Sequence, residues 1–551
     1  MPILPDFLAE FIETHDEKLR EYYSKAFYAE ILEQNRGHIL VKTDSHLDFS
    51  KAEQVCVDYH HQSGPGKPPT HTVDHLLRAI LVGQMKGLSL RELEIELATN
   101  FLARWFSGYE LFAHTPDHTT LGRFEGWLLL NHRRIYFDTV LKQIEVLFPK
   151  EKDTAQMGDT YAMLANATKH GIVDLLRIFS LRALEAWQNS KHDDNLLRGL
   201  DWASLFGPKP EKHPGRMSKA EKSERLQKTA LAAQDLLGRI DTLSNPSVNL
   251  ALWQGYLQKA LEDELEIEAV KVSYRKKKGD FRFGSATDPE ATFRNHGERN
   301  GEKDIKFGYN IQVASTENGL ITETKAYTGA TPDQSGIANL VFEQKEHRNH
   351  CPDKMIYDAA AATGKIRHEV EEVSGGETKL SAPLIKSYKK EPVFAPYDFS
   401  LSEDGEKLTC PNGKTTQIRY PSQSGDGGNF RFLTHHCWQD KPPKRMKDVD
   451  LSKRCLLWEQ CRKEKTGPRA MRQVFISDYR HLIEEAKTYN KTEKYRHDHK
   501  LRQRIERTVA ELVRYNWTRH CRRRGLDAAD WQAKMGATTC NLKWWMRRVP
   551  A

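Results

Sequence analysis

Three carboxylates far apart in the chain could do chemistry together: Asp159 in GDTYAMLANA, Asp358 in MIYDAAAATGK and Glu506 in RQRIERTVAEL. Burying an unpaired carboxylate is costly, so each needs a cation, a metal or a hydrogen-bonding turn. Asp159 stands among small and apolar side chains. A turn aspartate capping the next segment and a metal ligand at a strand end are both open, and nothing within those ten residues decides between them. Asp358 closes the apolar run KMIYD, which reads as a buried strand. Glu506 borders the helical stripe Ile505, Val509, Leu512 and Val513, where it could reach under a sheet rather than into solvent. Carboxylates from two strands and a helix suit hard divalent cations such as Mg²⁺ or Mn²⁺. Two such ions about 3.5–4 Å apart support in-line phosphoryl transfer without a serine or cysteine nucleophile. Four other acids compete. Asp288 precedes Pro289 as a turn residue or structural anchor, Asp333 reads as a helix cap, Asp353 lies in the turn before its strand, and Glu511 ranks behind Glu506.

The elements that must position these acids follow from periodicity. The chain has 551 residues, enough for about three or four domains. Residues 1–150 read as an all-α domain. Val73, Leu76, Leu77, Ile80 and Leu81 recur at helical spacing, Gly87 stops that helix, and Ser89 with Glu92 forms a capping box. Thr119 or Thr120 is placed to cap LGRFEGWLLL. A helix-turn-helix-like bundle and a plain packing domain are equally open here. Residues 151–385 read as an α/β core interrupted by a helical insertion at about 168–280, which holds the exposed linker GPKPEKHPGRMSKAEK. From Tyr309, strands GYNIQVAS and GLITETKAYT give way to alternating helices and strands, predicting a mixed sheet. Residues 386–490 read as an irregular Cys-containing insertion, and 491–551 as a basic helix with a tail.

The charge excess is 84 − 76 = +8, and its placement says more than its size. Arg502, Arg504, Arg507, Arg522, Arg523 and Arg524 belong to a basic cluster beside Glu506, suited to phosphate contacts. Trp517, Trp531, Trp544 and Trp545 interleave with it and could stack on exposed bases. Cys410, Cys437, Cys455 and Cys461 could form a tetrahedral Zn²⁺ site, though no close Cys-x-x-Cys pair marks one; unliganded cysteines in a folded insertion are the alternative. The opening MPILPDFLAE has no secretory pattern, and no apolar run spans a bilayer, so a cytoplasmic protein without membrane contact is expected.

Taken in order, LSLRELEIELATN, RWFSGYELF, PDHTTLGRFEGWL, GDTYAMLANA, SATDPEATFR, GYNIQVAS, MIYDAAAATGK, RQRIERTVAEL and CNLKWW resemble a DDE-type insertion-sequence transposase. The resemblance implies an RNase H-like catalytic core with Asp159, Asp358 and Glu506 as its triad and Arg502 with Glu506 as its Arg-x-x-x-Glu pattern. It implies two divalent ions, cleavage at terminal inverted repeats of double-stranded DNA, strand transfer into target DNA, and a homodimer on that DNA. The chain departs from the family in the alanines that follow Asp358 and in Ser452, where a further cysteine commonly precedes Cys455 by three positions. A nuclease without strand transfer, and a DNA-binding descendant with a decayed site, are the alternatives.

Overall fold

The segment QMGDTYAML becomes the middle strand of a six-stranded mixed sheet in the computed structural model. The structure describes residues 6–61, 70–152, 154–206, 214–299, 302–384, 394–422, 425–439, 450–462, 467 and 469–550. The sheet strands are β1 (Gln156–Leu164), β2 (Thr292–Arg299), β3 (Glu302–Thr316), β4 (Ile321–Thr328), β5 (Lys354–Ile356) and β6 (Lys379–Ser381). β3 is long enough to serve three partners. Its first half pairs with β2 and its second half lies antiparallel between β1 and β4. On its other side β1 runs parallel to β5, and β5 parallel to β6. The expected turn ENG joins β3 to β4, with Gly319 at φ +84°. Helices Ile337–Arg348 and Gly364–Ser374 make the connections into β5 and β6, burying Leu340, Val341, Ile366 and Val370 against Met355 and Leu380.

The N-terminal region is helical as its periodicity requires. Helix Val73–Lys86 ends at Gly87 in the left-handed conformation, and Ser89 with Glu92 forms the capping box of the next helix. A side chain at Gly87 would strike the Trp517 ring, so the turn also needs glycine for space. The cap of helix His118–Asn131 differs from expectation: Asp117, not a threonine, accepts from the Thr120 N–H at 2.7 Å. An ionised side chain at that position also favours the positive end of the helix.

The insertion after β1 packs helices Ile172–Asn189, Lys219–Asp241 and Val248–Glu264 around its own apolar core, centred on Leu176, Phe179, Trp187 and Leu236. The start of its linker, 207–213, lies outside the described residues. The cysteine-bearing segment is more regular than its composition suggests. It forms two small three-stranded antiparallel sheets around Phe399, Leu408, Phe430 and Phe432.

The last helix corrects an expectation. Trp531, Trp544 and Trp545 are not presented to bases; helix Leu526–Met546 is buried along almost its whole length, and these rings are core. Apolar burial alone does not explain it, because β4 is an edge strand with one row of backbone groups facing away from β3. The helix satisfies that row with side chains. Asn541 exchanges two hydrogen bonds with Ile321, at 2.9 and 2.8 Å. Asp530 accepts from the Ala326 N–H at 2.9 Å, and Lys534 donates to the Thr324 carbonyl at 2.7 Å. Among the described residues, no helix is long and apolar enough to cross a membrane.

Candidate functional site

Register brings the two aspartates together. Met157 on β1 is the parallel partner of Ile356, the last residue of β5. Asp159 and Asp358 each stand two residues beyond that rung, so the two-residue alternation of extended chain carries them to the same side. Asp358 lies just past the end of β5, whereas Asp159 lies within β1 and not at a strand end, because β1 runs on along β3 to Leu164. The intervening residues, Gly158 and Tyr357, meet at close range: a Cβ on Gly158 would lie 2.0 Å from the buried tyrosine ring. That is why glycine precedes Asp159.

Asp358 caps the short 3₁₀ turn Ala359–Ala361, its Oδ1 accepting from the Ala360 N–H at 2.9 Å. The alanines thus form a tight turn, with Ala361 fully buried. The other oxygen, Oδ2, faces the Arg502 guanidinium at 3.7 Å. Arg502 also stands 3.8 Å from Glu506, one helical turn along. Helix Glu493–Tyr515 is held there by the stripe Leu501, Ile505, Thr508, Leu512 and Val513. At its start, buried Asp498 accepts from Lys354 at 3.1 Å and from the Tyr489 hydroxyl at 2.6 Å, tying the helix to β5.

Glu506 does not reach under the sheet; its side chain is 63 % exposed, because the buried stripe turns it toward solvent. Asp159 is the most enclosed of the three. Burial pushes its carboxyl above the ordinary value, and the charges of Asp358 and Asp333 push the same way, against the Thr160 N–H and Arg502. It has no ion pair of its own among the described residues; its Oδ1 accepts from the Thr160 N–H at 2.8 Å. Among the described residues no three histidine, cysteine or acidic side chains stand, as placed, close enough to hold a metal ion. Around Arg502, the guanidinium lies between Asp358 and Glu506. The donor set nevertheless fits a divalent cation in kind. It is all carboxylate oxygen, and its most buried member carries a charge that nothing directly neutralises.

Arg294 in this neighbourhood escaped the sequence reading, and Asp333 was misplaced by it. Arg294 on β2, 5 % exposed, donates to Thr160 Oγ1 at 2.6 Å and to Asp333 Oδ1 at 2.8 Å. Asp333 therefore does not cap its helix; Arg294 and the Asn310 amide hold it. Asp288 is an anchor, buried and accepting from the Tyr309 hydroxyl at 2.6 Å. The available signal was weak: Arg294 directly follows Phe293 at a strand start, ATFRN.

The basic cluster divides in two. Arg504 donates to the Glu317 carbonyl, Arg522 to that of Leu88 and Arg524 to that of Asn166, while Arg523 pairs with Glu125. The last three tie the loop after the Glu506 helix to the N-terminal helical region and to the chain just after β1. Arg507, by contrast, lines an open groove of about 590 Å³ with Arg514, Lys543 and Arg547, where Glu511 is the single acid. Arg507 and Arg514 make no ion pair among the described residues. Cys410, Cys437, Cys455 and Cys461 all line one small cavity in the insertion.

Two stretches of the chain match described families. Residues 28–126 match a transposase domain (DUF772), and residues 409–545, which include Glu506 and the four cysteines, match a transposase DDE domain. No curated protein and no solved structure matches the chain.

Proposed function

The chain belongs with the insertion-sequence DDE transposases, and from that premise we propose that it cleaves DNA at transposon ends and joins the freed ends to target DNA. One observation supports the assignment of the site: Arg502 on the long helix stands 3.7 Å from Asp358 and 3.8 Å from Glu506, and Asp159 lies on the same side of the sheet as Asp358, on the neighbouring strand. The strand order β4-β3-β1-β5-β6, with β3 alone antiparallel to β1 and β4, supports reading the core as RNase H-like. Proteins of this family generally use divalent metals. Asp159, Asp358 and Glu506 are the residues that would hold Mg²⁺ or Mn²⁺, and bound ions supply an activated water and charge stabilisation at the leaving oxygen.

The chain's own groups have separable tasks in this reading. Asp159 within β1 and Asp358 past the end of β5 fix negative charge on one side of the sheet, held in place by the Gly158–Tyr357 contact. Arg502 neutralises that charge until DNA arrives and can then turn its guanidinium to a phosphate oxygen. The groove of Arg507, Arg514, Lys543 and Arg547 continues along the same helix and takes the DNA backbone beside the cut. The N-terminal helices recognise the terminal inverted repeats, and two chains pair two ends in the cytoplasm. Asp358→Asn is expected to abolish strand cleavage in Mg²⁺ or Mn²⁺ while leaving end binding intact; retained cleavage rejects the assignment.

A second reading, DNA binding without turnover, is favoured by one feature: the run of four alanines, Ala359 to Ala362, that follows Asp358. A pre-cut end offered with target DNA separates the readings. Joined product supports the transposase, cleavage without joining a plain nuclease, and neither a binding protein.

A further inference from the structure

The cysteine cavity in the insertion is a different matter from the carboxylate site, and it lies in a different part of the chain. Three separate segments deliver its four thiols. Cys410 enters on a tight CPNG turn, where the Gly413 N–H returns to the Cys410 carbonyl at 2.8 Å and Gly413 takes φ +74°. Cys437 and Cys455 come side by side through a short antiparallel bridge, the Cys455 N–H donating to the Cys437 carbonyl at 2.9 Å. Cys461 ends the helical turn Trp458–Cys461. None of the four is in a disulfide. The cavity they line holds about 30 Å³, far too little for an organic ligand. Ser452, three positions before Cys455, is turned away to Asp450, so Cys437 is the residue that brings the number of thiols to four.

Charge supplies an independent observation. Two guanidiniums, Arg462 and Arg472, line the same cavity. Arg462 is only 5 % exposed, donates to Cys437 Sγ at 3.4 Å, and leaves its Nε without a partner. Arg472 donates to the Phe394 carbonyl at 2.7 Å and also leaves Nε unpartnered. Neither arginine has a carboxylate in an ion pair among the described residues. Buried cations need anions, and the nearest candidates are the sulfurs. Four thiolates around one divalent cation carry two net negative charges, which two guanidiniums balance.

We propose that Cys410, Cys437, Cys455 and Cys461 bind one structural Zn²⁺, with Arg462 and Arg472 neutralising the thiolate shell. Each thiol loses its proton to solvent as its Zn–S bond forms, with no change of oxidation state. As placed, the sulfurs line the cavity without closing on a common point, so binding is coupled to rotation of the cysteine side chains toward it. The ion would lock the insertion's segments together as a crosslink, where its small apolar core is modest.

The test uses the full chain, expressed in zinc-supplemented medium, gel-filtered and assayed for metal by mass spectrometry. About one zinc per chain is expected, retained on filtration and released when a mercurial caps the thiols. Cys437→Ser and Cys461→Ser are expected to lose it, whereas Cys351→Ser, a buried thiol of the sheet domain, keeps it. Should the variants be insoluble, wild-type chain loaded with Co²⁺ decides: intense tetrahedral d–d bands and thiolate-to-cobalt charge transfer are expected. Less than roughly a tenth of an equivalent of zinc, a weak octahedral cobalt spectrum, or zinc surviving both serine changes overturns the proposal. Four thiols titrating instead of eight in the denatured, metal-free chain would mean disulfides and overturn it as well.

Discussion

The outer edge of β4 and the place where β1 runs past the end of β5 are built from the same kinds of residue and put them to opposite uses. At β4, Arg134 grips fully buried Glu323 through both carboxylate oxygens, at 2.8 and 3.1 Å, and Lys534 holds Asp530 at 2.9 Å. Each charge there has an opposite within contact, and the Asp530 carboxyl is held below its ordinary value by Lys534 despite its burial. Around Arg502 the distances lengthen to 3.7 and 3.8 Å, Asp358 and Glu506 are 48 % and 63 % exposed, and acids outnumber the cation. Tight, saturated pairs fix geometry and have nothing left to offer. Loose, unsaturated ones keep lone pairs free for something that arrives from outside.

The comparison can be broken at either end. Glu506→Gln removes an exposed carboxylate, so strand cleavage should drop to background while the melting temperature stays within about 2 °C of wild type. A large loss of stability would mean this acid is scaffold after all. Asp530→Ala should do the reverse, leaving buried Lys534 with only Glu323, 4.0 Å away and already held by Arg134, for a counter-charge, at a cost of about 3 kcal/mol in denaturant titration. A cost below about 1 kcal/mol would remove the contrast.

Asp159 sharpens the same contrast through pH. Its folded-state pKa is raised, so the folded chain binds more protons than the unfolded one above the ordinary carboxylate range, about pH 4, up to the raised value. Stability therefore falls as pH rises through that window, and ionised Asp159 is destabilising at neutral pH. Asp159→Asn should melt higher than wild type at neutral pH, with the gap closing in acid and cleavage absent throughout. The smallest effect is expected in the groove. Arg507→Ala with Arg514→Ala should weaken end binding modestly and lower the slope of log affinity against log salt by about one for each phosphate no longer neutralised.

Local signals were legible in the sequence where local rules govern. The capping box at Ser89 and Glu92, the glycine stop at Gly87, and the strands on either side of ENG needed only periodicity and turn chemistry. The strand-end position of Asp358 was legible too, since KMIY pointed to it, whereas Asp159, expected where a strand gives way, stands inside one that runs on to Leu164. What escaped depended on distant partners. Nothing near Trp544 or Trp545 announces that β4 lies against them, and a run rich in Arg and Trp reads as surface until its partner is known. Arg294 and Asp333 find each other across 39 positions, so neither looks paired in one dimension. Glu506 was placed by its neighbours' stripe, but the stripe gives the direction of the buried face and not how far a flanking side chain swings from it.

The hydrogen bonds from Asn541, Asp530 and Lys534 to β4 have a consequence for the order of synthesis. While translation is in progress, β4 leaves the ribosome about two hundred residues before the helix that covers it. Until then its outer row of backbone groups is open to pairing with any other strand nearby. The long helix that carries Glu506 also emerges late, so a nascent chain that already holds Asp159 and Asp358 still lacks the third acid of the proposed site.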